Sequence, residues 1–276
     1  MPLSKERLDV LLVEKGFFES RQQAQRAIMA GLIRIDGERV DKAGTKVRQD
    51  ARIQRIGNEH PYVSRGGLKL EKAIQAFSLD LSGRVVLDIG ASTGGFTDCA
   101  LQNGARRVYA VDVGYGQLAW KLRQDDRVVV MERTNFRYMK PGDLSGERPD
   151  FATIDVSFIS LSRILPPLKT LLKESAQVVA LVKPQFEAGR KQVGKKGIVR
   201  DSRIHREVLT RFSSMAGDEG FYLSGLVPSP ITGAGGNIEF VSLLYRDSTQ
   251  TTHSSAEVTA EIERAVKDAH ESGSNH

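Results

Sequence analysis

Four charged residues stand where apolar runs stop or start. Asp155 follows Ala152-Thr153-Ile154, and Lys183 follows Val179-Ala180-Leu181-Val182. Glu239 opens the last apolar run, and Lys69 comes just after Arg65-Gly66-Gly67. A charge directly after several apolar residues cannot enter a core unpaired. If the runs are strands of a doubly wound sheet, Asp155 and Lys183 lie at carboxyl ends, where such sheets bind ligands. Two ammonium groups and two carboxylates in one site would be suited to acid–base chemistry on a bound ligand. The plainer alternative is that all four are solvated strand ends. It ranks second for Asp155 and Lys183, and the residues alone leave the two readings level for Lys69 and Glu239.

A second constellation runs from Val85 to Phe96: a strand (Val85–Ile89), a glycine turn and the start of a helix. Gly90, Gly94 and Gly95 permit a tight turn and close approach of backbone to a ligand. Asp88, near the end of the strand, is placed to hold a ligand's ammonium group. Ser92 and Phe96 complete the loop's lining. Asp112 follows about 22 residues after Gly90, near the spacing at which an acid bonds ribose hydroxyls. A nucleoside cofactor fits these facts, be it S-adenosylmethionine (SAM) or NAD. Three features favour SAM. The loop reads Gly-Ala-Ser-Thr-Gly-Gly rather than Gly-x-Gly-x-x-Gly, the third strand leads into Asn135 at a position suited to adenine, and no second half-sheet follows.

The elements that must carry these residues can be read from periodicity. Apolar segments at 85–89, 108–113, 128–132, 152–156, 178–182, 222–227 and 238–245 alternate with helical patterns, which implies a parallel, doubly wound α/β sheet. Only the Pro/Gly-rich stretch 228–236 separates the last two strands, so they should be antiparallel. Seven strands with a final antiparallel pair suit a Rossmann-like SAM-dependent methyltransferase. Ahead of it, residues 1–57 form a small α+β unit. Leu8, Leu11 and Leu12 mark one short helix and Ala24, Ala27 and Ile28 a second. Ser20 and Gln23 have capping-box spacing. Asp36-Gly37 between apolar residues signals a hairpin. The expected domains are thus 1–57, a linker at 58–68, the catalytic unit at 69–246, and a polar tail with a short helix at 247–276.

The bulk numbers exclude little but are consistent. The 276 residues carry a net charge of +6, which favours a polyanionic partner without requiring one. The lone cysteine, Cys99, forbids an intrachain disulfide and a cysteine-based zinc site, so no metal is expected. No export signal or membrane-length apolar run is present, which points to a cytoplasmic protein.

With these motifs in hand, the chain resembles the TlyA family, known both as hemolysins and as ribosomal-RNA 2′-O-methyltransferases. The resemblance runs from about Arg7 to Tyr245. It is carried by Ser64-Arg65-Gly66-Gly67-Leu68-Lys69-Leu70, Asp88 to Phe96, Asp155-Val156-Ser157-Phe158-Ile159-Ser160, and Leu181-Val182-Lys183-Pro184-Gln185-Phe186-Glu187. Residues 7–56 resemble the alpha-L RNA-binding domain, and residues 64–245 the FtsJ/RrmJ-type methyltransferases. The latter's Lys-Asp-Lys-Glu tetrad matches Lys69, Asp155, Lys183 and Glu239. Asn135 departs from the acid usual at the adenine position, though its amide oxygen can still accept a hydrogen bond. The resemblance implies SAM as cofactor, ribosomal RNA as partner and 2′-O-methylcytidine as product. A ribose hydroxyl is a poor nucleophile until its proton is lost or shared. Whether Lys183 would take that proton or only steer the oxygen stays open.

The RNA surface is expected at Arg7, Arg21, Arg26 and Arg65, and in the basic, glycine-rich segment after Lys183. Arg190, Lys195 and Lys196 are the phosphate-binding candidates there, on a loop ordered only by RNA. A solvated loop is the usual fate of such a charge run. A monomer is expected. Three rivals remain: a membrane-active hemolysin, for which the sequence offers no span, no long cationic amphipathic helix and no export signal; a noncatalytic RNA-binding protein, against which the intact tetrad argues; and a small-molecule methyltransferase, which would not need residues 7–56.

Overall fold

A computed structural model describes residues 5–18, 20–29, 31–55, 60–189, 192–194, 197–246 and 254–272. The chain divides into two compact units, Met1–Pro61 and Tyr62–His276.

The first unit holds β1 (Lys5–Arg7), α1 (Leu8–Glu14), α2 (Arg21–Met29), β2 (Ile33–Ile35), β3 (Glu38–Arg39), β4 (Lys46–Arg48) and β5 (Ile53–Arg55). Leu8, Leu11 and Leu12 of α1 pack on Ala24, Ala27 and Ile28 of α2, with Ile33 and Val47 closing the core. The backbone amide of Gln23 donates to Ser20 Oγ at 3.3 Å, the first half of a capping box. Asp36 and Gly37 both take positive φ (52° and 91°) between β2 and β3. That is the turn an Asp-Gly pair permits. Pairing of β5 with β2 and of β1 with β4 has no comparable sequence signal.

The second unit is α3 (Gly66–Phe77), β6 (Val85–Ile89), α4 (Gly95–Gln102), β7 (Arg107–Val111), α5 (Trp120–Arg123), β8 (Val128–Met131), β9 (Phe151–Ile154), α6 (Leu165–Leu171), β10 (Gln177–Val182), α7 (Pro184–Glu187), α8 (Ser202–Asp218), β11 (Tyr222–Pro228), β12 (Phe240–Tyr245) and α9 (Ser255–Ser272). Its seven strands run in the order β11-β12-β10-β9-β6-β7-β8. The five strands β6 to β10 are mutually parallel where paired. β12 slots between β10 and β11, antiparallel to both. Chain order reverses between β6 and β9, which opens a crevice beyond their carboxyl ends. Apolar clusters cover both faces of the sheet, as near-continuous runs such as Val178–Val182 require.

Two boundaries differ from the sequence reading. Residues 62–65 are no linker but part of the second unit. Tyr62 is buried, its hydroxyl donates to Glu71 at 2.8 Å, and the amide of Val63 donates to Asp98 Oδ2 at 2.8 Å. The tail carries a long helix rather than a short one. α9 buries Ile262, Ala265, Val266 and Ala269 in the core of the sheet unit, as their helical spacing suggests.

If α9 is part of that core, Ile262→Ala should lower unfolding free energy by about 2–4 kcal/mol in urea titrations. A change within experimental error would make the helix an appendage.

Candidate active site

The four charged residues meet at the carboxyl end of the sheet. Asp155 is the residue after β9, Lys183 the residue after β10, and Glu239 the residue before β12. Each leaves its strand where the ladder stops, so its side chain points past the sheet. Lys69 lies in the first turn of α3, which brings it over the same crevice. Lys183 Nζ lies 2.6 Å from Asp155 Oδ1, and Lys69 Nζ lies 3.3 Å from Asp155 Oδ2 and 2.9 Å from Glu239 Oε2. The result is one chain of alternating charge: Lys183, Asp155, Lys69, Glu239. Lys183 also donates to Ser157 Oγ at 3.1 Å, and Gln185 Nε2 donates to Glu239 Oε1 at 3.3 Å.

Lys69, Lys183 and Glu239 are buried. Burial would raise the Asp155 pKa, but Lys69 and Lys183 outweigh it and hold the carboxyl below its ordinary range. Burial would lower Lys69, and Asp155 and Glu239 outweigh that in turn, leaving its pKa raised. Asp155 and Lys69 are therefore each held in the charged form by oppositely charged neighbours.

A cavity of about 680 Å³ connects these charges with the glycine loop. Its lining includes Arg65, Lys69, Gly90, Ser92, Gly95, Phe96, Asp155, Lys183 and Glu239. The glycines are required by space. Gly90 has φ +85°, and a Cβ there would sit 2.6 Å from the Asp155 carbonyl oxygen. A Cβ at Gly95 would meet Ser64 Oγ at 2.3 Å and the Gly67 nitrogen at 2.7 Å, so the linker-like residues form the floor under the loop. Gly94, also left-handed at φ +98°, leaves room for Leu122 and Leu118 instead.

Other expected cofactor residues lie around this cavity rather than in its wall. Asp112 follows β7 and accepts the amides of Ser92 and Gly114, both at 2.7 Å. It thereby pins the glycine loop to the next strand end. Asn135 caps the short 3-10 turn after β8, and its Oδ1 accepts from the Arg137 amide at 3.2 Å. Asp88 requires correction. It is fully buried one residue inside β6 and does not line the cavity. Thr97 and Thr153 donate to its two oxygens at 2.6 and 2.9 Å. Through these bonds it ties the first turn of α4 to β9.

Sequence reasoning passed over three contributors, all inside the quoted motifs. Ser157 touches Lys183. Phe158 is 90% exposed at the cavity wall in a left-handed conformation, φ +63°, with its ring 5.0 Å from that of Phe186. Glu187 accepts from Ser160 Oγ at 2.7 Å and from the Leu161 amide at 2.8 Å.

Of the expected RNA contacts, Arg7 and Arg21 converge on the buried Asp9. Arg7 donates to both its oxygens at 3.0 and 3.1 Å, and Arg21 to one at 3.0 Å. Those bonds, with one from Gln25, hold the Asp9 carboxyl well below its usual range. The guanidiniums themselves remain about half exposed. Arg65 is exposed at the cavity mouth. The Arg26 side chain, Arg190, Lys195 and Lys196 lie outside the described residues. The segment that follows them is less free than its composition suggests. Asn237 accepts the Val199 amide and donates to the Gly197 carbonyl, both at 3.0 Å. Arg203 and Arg206 are paired with Asp201 and Glu263.

Sheet order, glycine cradle and paired charges define a SAM-dependent methyltransferase. Residues 62–246 match the FtsJ-like methyltransferase family, and residues 6–53 match the S4 domain. The chain belongs to the FtsJ-like methyltransferase family, among its TlyA-like members. It is 43% identical to the Mycobacterium tuberculosis protein named 16S/23S rRNA (cytidine-2′-O)-methyltransferase TlyA, over 95% of this chain and 97% of that one. Hemolysin A of Brachyspira hyodysenteriae is also 43% identical, over 86% of this chain and 98% of its own. A solved structure from Streptococcus thermophilus, whose name assigns it provisionally to the hemolysins, is 52% identical. It covers 99% of this chain and 98% of its own, with a TM-score of 0.78.

The corrected role of Asp88 has a pH signature. Burial lifts its pKa to about 6, against the lowering pull of Thr97 and Thr153. An unfolded aspartate ionises near about 3.9. The folded chain thus binds this proton more tightly, so the group's stabilisation is full below about pH 4 and is lost as pH rises towards 6. The loss amounts to about 3 kcal/mol. Asp88→Asn removes it. Relative to wild type, the variant's unfolding free energy in urea should climb by up to that amount between pH 4 and 7. A pH-independent difference would mean that the carboxyl does not titrate there.

Proposed function

We propose that this chain transfers the methyl group of SAM to the 2′-oxygen of a cytidine ribose in ribosomal RNA, with its S4 unit supplying affinity for RNA. The observation that carries the reading is the Lys183–Asp155–Lys69–Glu239 chain beside a glycine-cradled cavity. The activity named for the M. tuberculosis relative supports the substrate.

The cradle suits SAM. The loop from Gly90 to Gly95 has no cationic side chain for a phosphate, and SAM carries none. The backbone of Gly90, Ser92, Gly94 and Gly95 would hold the methionine part beside Phe96. Asp112 keeps free lone pairs for the ribose hydroxyls; the Asn135 oxygen, which accepts the Arg137 amide and Nε, would take the adenine edge in place of the Arg137 side chain. SAM supplies an electrophilic methyl group on its sulfonium.

The chain's own residues do the rest. Lys183, at the cavity wall, donates a hydrogen bond to the ribose oxygen and fixes its line of attack. Asp155 sets the Lys183 position, and Lys69, held by Glu239, keeps Asp155 ionised. Methylation of that oxygen would release its proton, which water in the open cavity would carry away. Much of the rate would come from alignment. Phe158 offers an exposed ring face to the base of the target nucleotide. A non-glycine residue held at positive φ costs about 1–3 kcal/mol, which suits a residue kept for function.

The hemolysin name among the relatives invites a membrane role. Among the described residues, no helix is long and apolar enough to cross a membrane. The paired tetrad also has no part in such an activity, and it weighs equally against a noncatalytic RNA-binding protein.

Lys183→Ala and Asp155→Ala should each cut tritium transfer from labelled SAM to ribosomal subunits by at least about 100-fold. SAM affinity by calorimetry should change little. Near wild-type transfer by Lys183→Ala would overturn the tetrad reading. In the S4 unit, the pair Arg7→Ala and Arg21→Ala should flatten the log–log salt dependence of RNA binding by up to about two units. An unchanged slope would mean that Asp9 holds these guanidiniums away from phosphate.

A further inference from the structure

Gln185 has a side chain that the tetrad alone does not explain. Its Nε2 donates to Glu239 Oε1 at 3.3 Å, which leaves the amide's own Oε1 outside that bond. That Oε1 is shielded from solvent and has no hydrogen-bond donor among the described residues. A buried acceptor without a donor is costly, and native proteins rarely leave one. Gln185 also borders two cavities at once. One is the reaction cavity with Lys183 and Glu239. The other, of about 560 Å³, adjoins it and is lined by Phe158, Ile159, Phe186 and Ala188. A nucleotide whose ribose lies at Lys183 must put its base beside it, and Gln185 stands at that junction.

We infer that Gln185 reads the target base, its Oε1 accepting a hydrogen bond from the exocyclic amino group of cytosine. This rests on the proposed ribose methylation and adds base selectivity to it. The amide is oriented by Glu239, because exchanging its ends would set oxygen against carboxylate oxygen. The free end is therefore an acceptor and selects a donor. Cytosine presents an amino group at C4, and uracil presents a carbonyl there. Uracil would place oxygen against oxygen and leave the buried acceptor unpaired. A site built around one hydrogen bond rejects the analogue that lacks it. Gln185 also lines the adjoining cavity, so a donor brought there lies beside its side chain.

The test uses the full chain with Gln185→Leu and Gln185→Met, which keep the volume and remove the acceptor. The probes are ribosomal subunits bearing the cytidine that wild type methylates, and otherwise identical subunits with uridine there. Wild type should favour cytidine by at least about ten-fold in kcat/KM, and both variants should bring that ratio to within about three-fold. Calorimetry with SAM confirms an intact cofactor site. An unchanged ratio in either variant overturns the inference, whatever the absolute rates. So does loss of transfer to both RNAs with SAM binding retained, because Gln185 would then serve Glu239 rather than the base. Failure of the parent reading looks different: wild type would yield no 2′-O-methylcytidine in either RNA.

Discussion

One carboxylate between two ammonium groups organises the catalytic unit. Asp155 sits at the end of β9 with Lys183 at 2.6 Å on one side and Lys69 at 3.3 Å on the other. None of the three could be buried alone, because removing one charge leaves its partner desolvated and unmatched. Their mutual pairing fixes the spacing of β9, β10 and α3 at the crevice. Glu239 completes the balance, so that two cations meet two anions. Placing Glu239 there requires β12 to enter the sheet antiparallel, beside β10. The departure from a fully parallel sheet and the charge balance of the site are therefore one requirement.

The glycine loop depends on the same framework from the other side. A Cβ at Gly90 would press on the Asp155 carbonyl, and one at Gly95 on Ser64 and Gly67. Lys69 follows two residues after Gly67, so the cofactor cradle and the tetrad share the segment 64–69. Asp98 anchors this segment through the Val63 amide and also pairs with Lys121 of α5. Asp112 and Asp88 fasten the loop and the first turn of α4 to neighbouring strands through backbone amides and threonine hydroxyls. The cradle is preorganised by hydrogen bonds that do not themselves touch the cavity.

The strand-end rule explains both the legible and the illegible parts of the site. Asp155, Lys183, Asp112 and Glu239 each lie immediately outside a strand, so an apolar run followed or preceded by a charge reveals them. Asp88 lies one residue inside β6, where the ladder turns its side chain into the unit rather than past the edge. One residue of register separates a cavity wall from a buried brace, and periodicity does not resolve boundaries that finely. Composition misleads in the segment 60–67 for another reason. Glycine marks flexible chain and tight packing alike, and only the nearby Tyr62 ring, 2.3 Å from a Cβ on Gly67, tells them apart. The sheet itself was accessible because strands covered on both faces read as continuous apolar runs. The short strands β1, β4 and β5 pair through backbone with mostly exposed side chains, so they leave almost no pattern.

The wall opposite the glycine loop shows how chemistry and recognition are coupled in one stretch of chain. Lys183 to Glu187 supplies, in order, the tetrad lysine, the proline that opens α7, the glutamine at the cavity junction, a ring against Phe158, and a carboxylate. That carboxylate takes the Ser160 hydroxyl and the Leu161 amide, so it clamps the turn that begins with Ser157 and Phe158. A phenylalanine at φ +63° would relax if its turn were loose, and two charge-assisted bonds two and three residues later resist that. Ser157, in the same turn, contacts Lys183 Nζ. The loop is thus closed on itself: Lys183 leads to Glu187, Glu187 to the 157–161 turn, and the turn back to Lys183. The ring face and the ammonium group are set by a single cycle of contacts, so neither can shift without carrying the other.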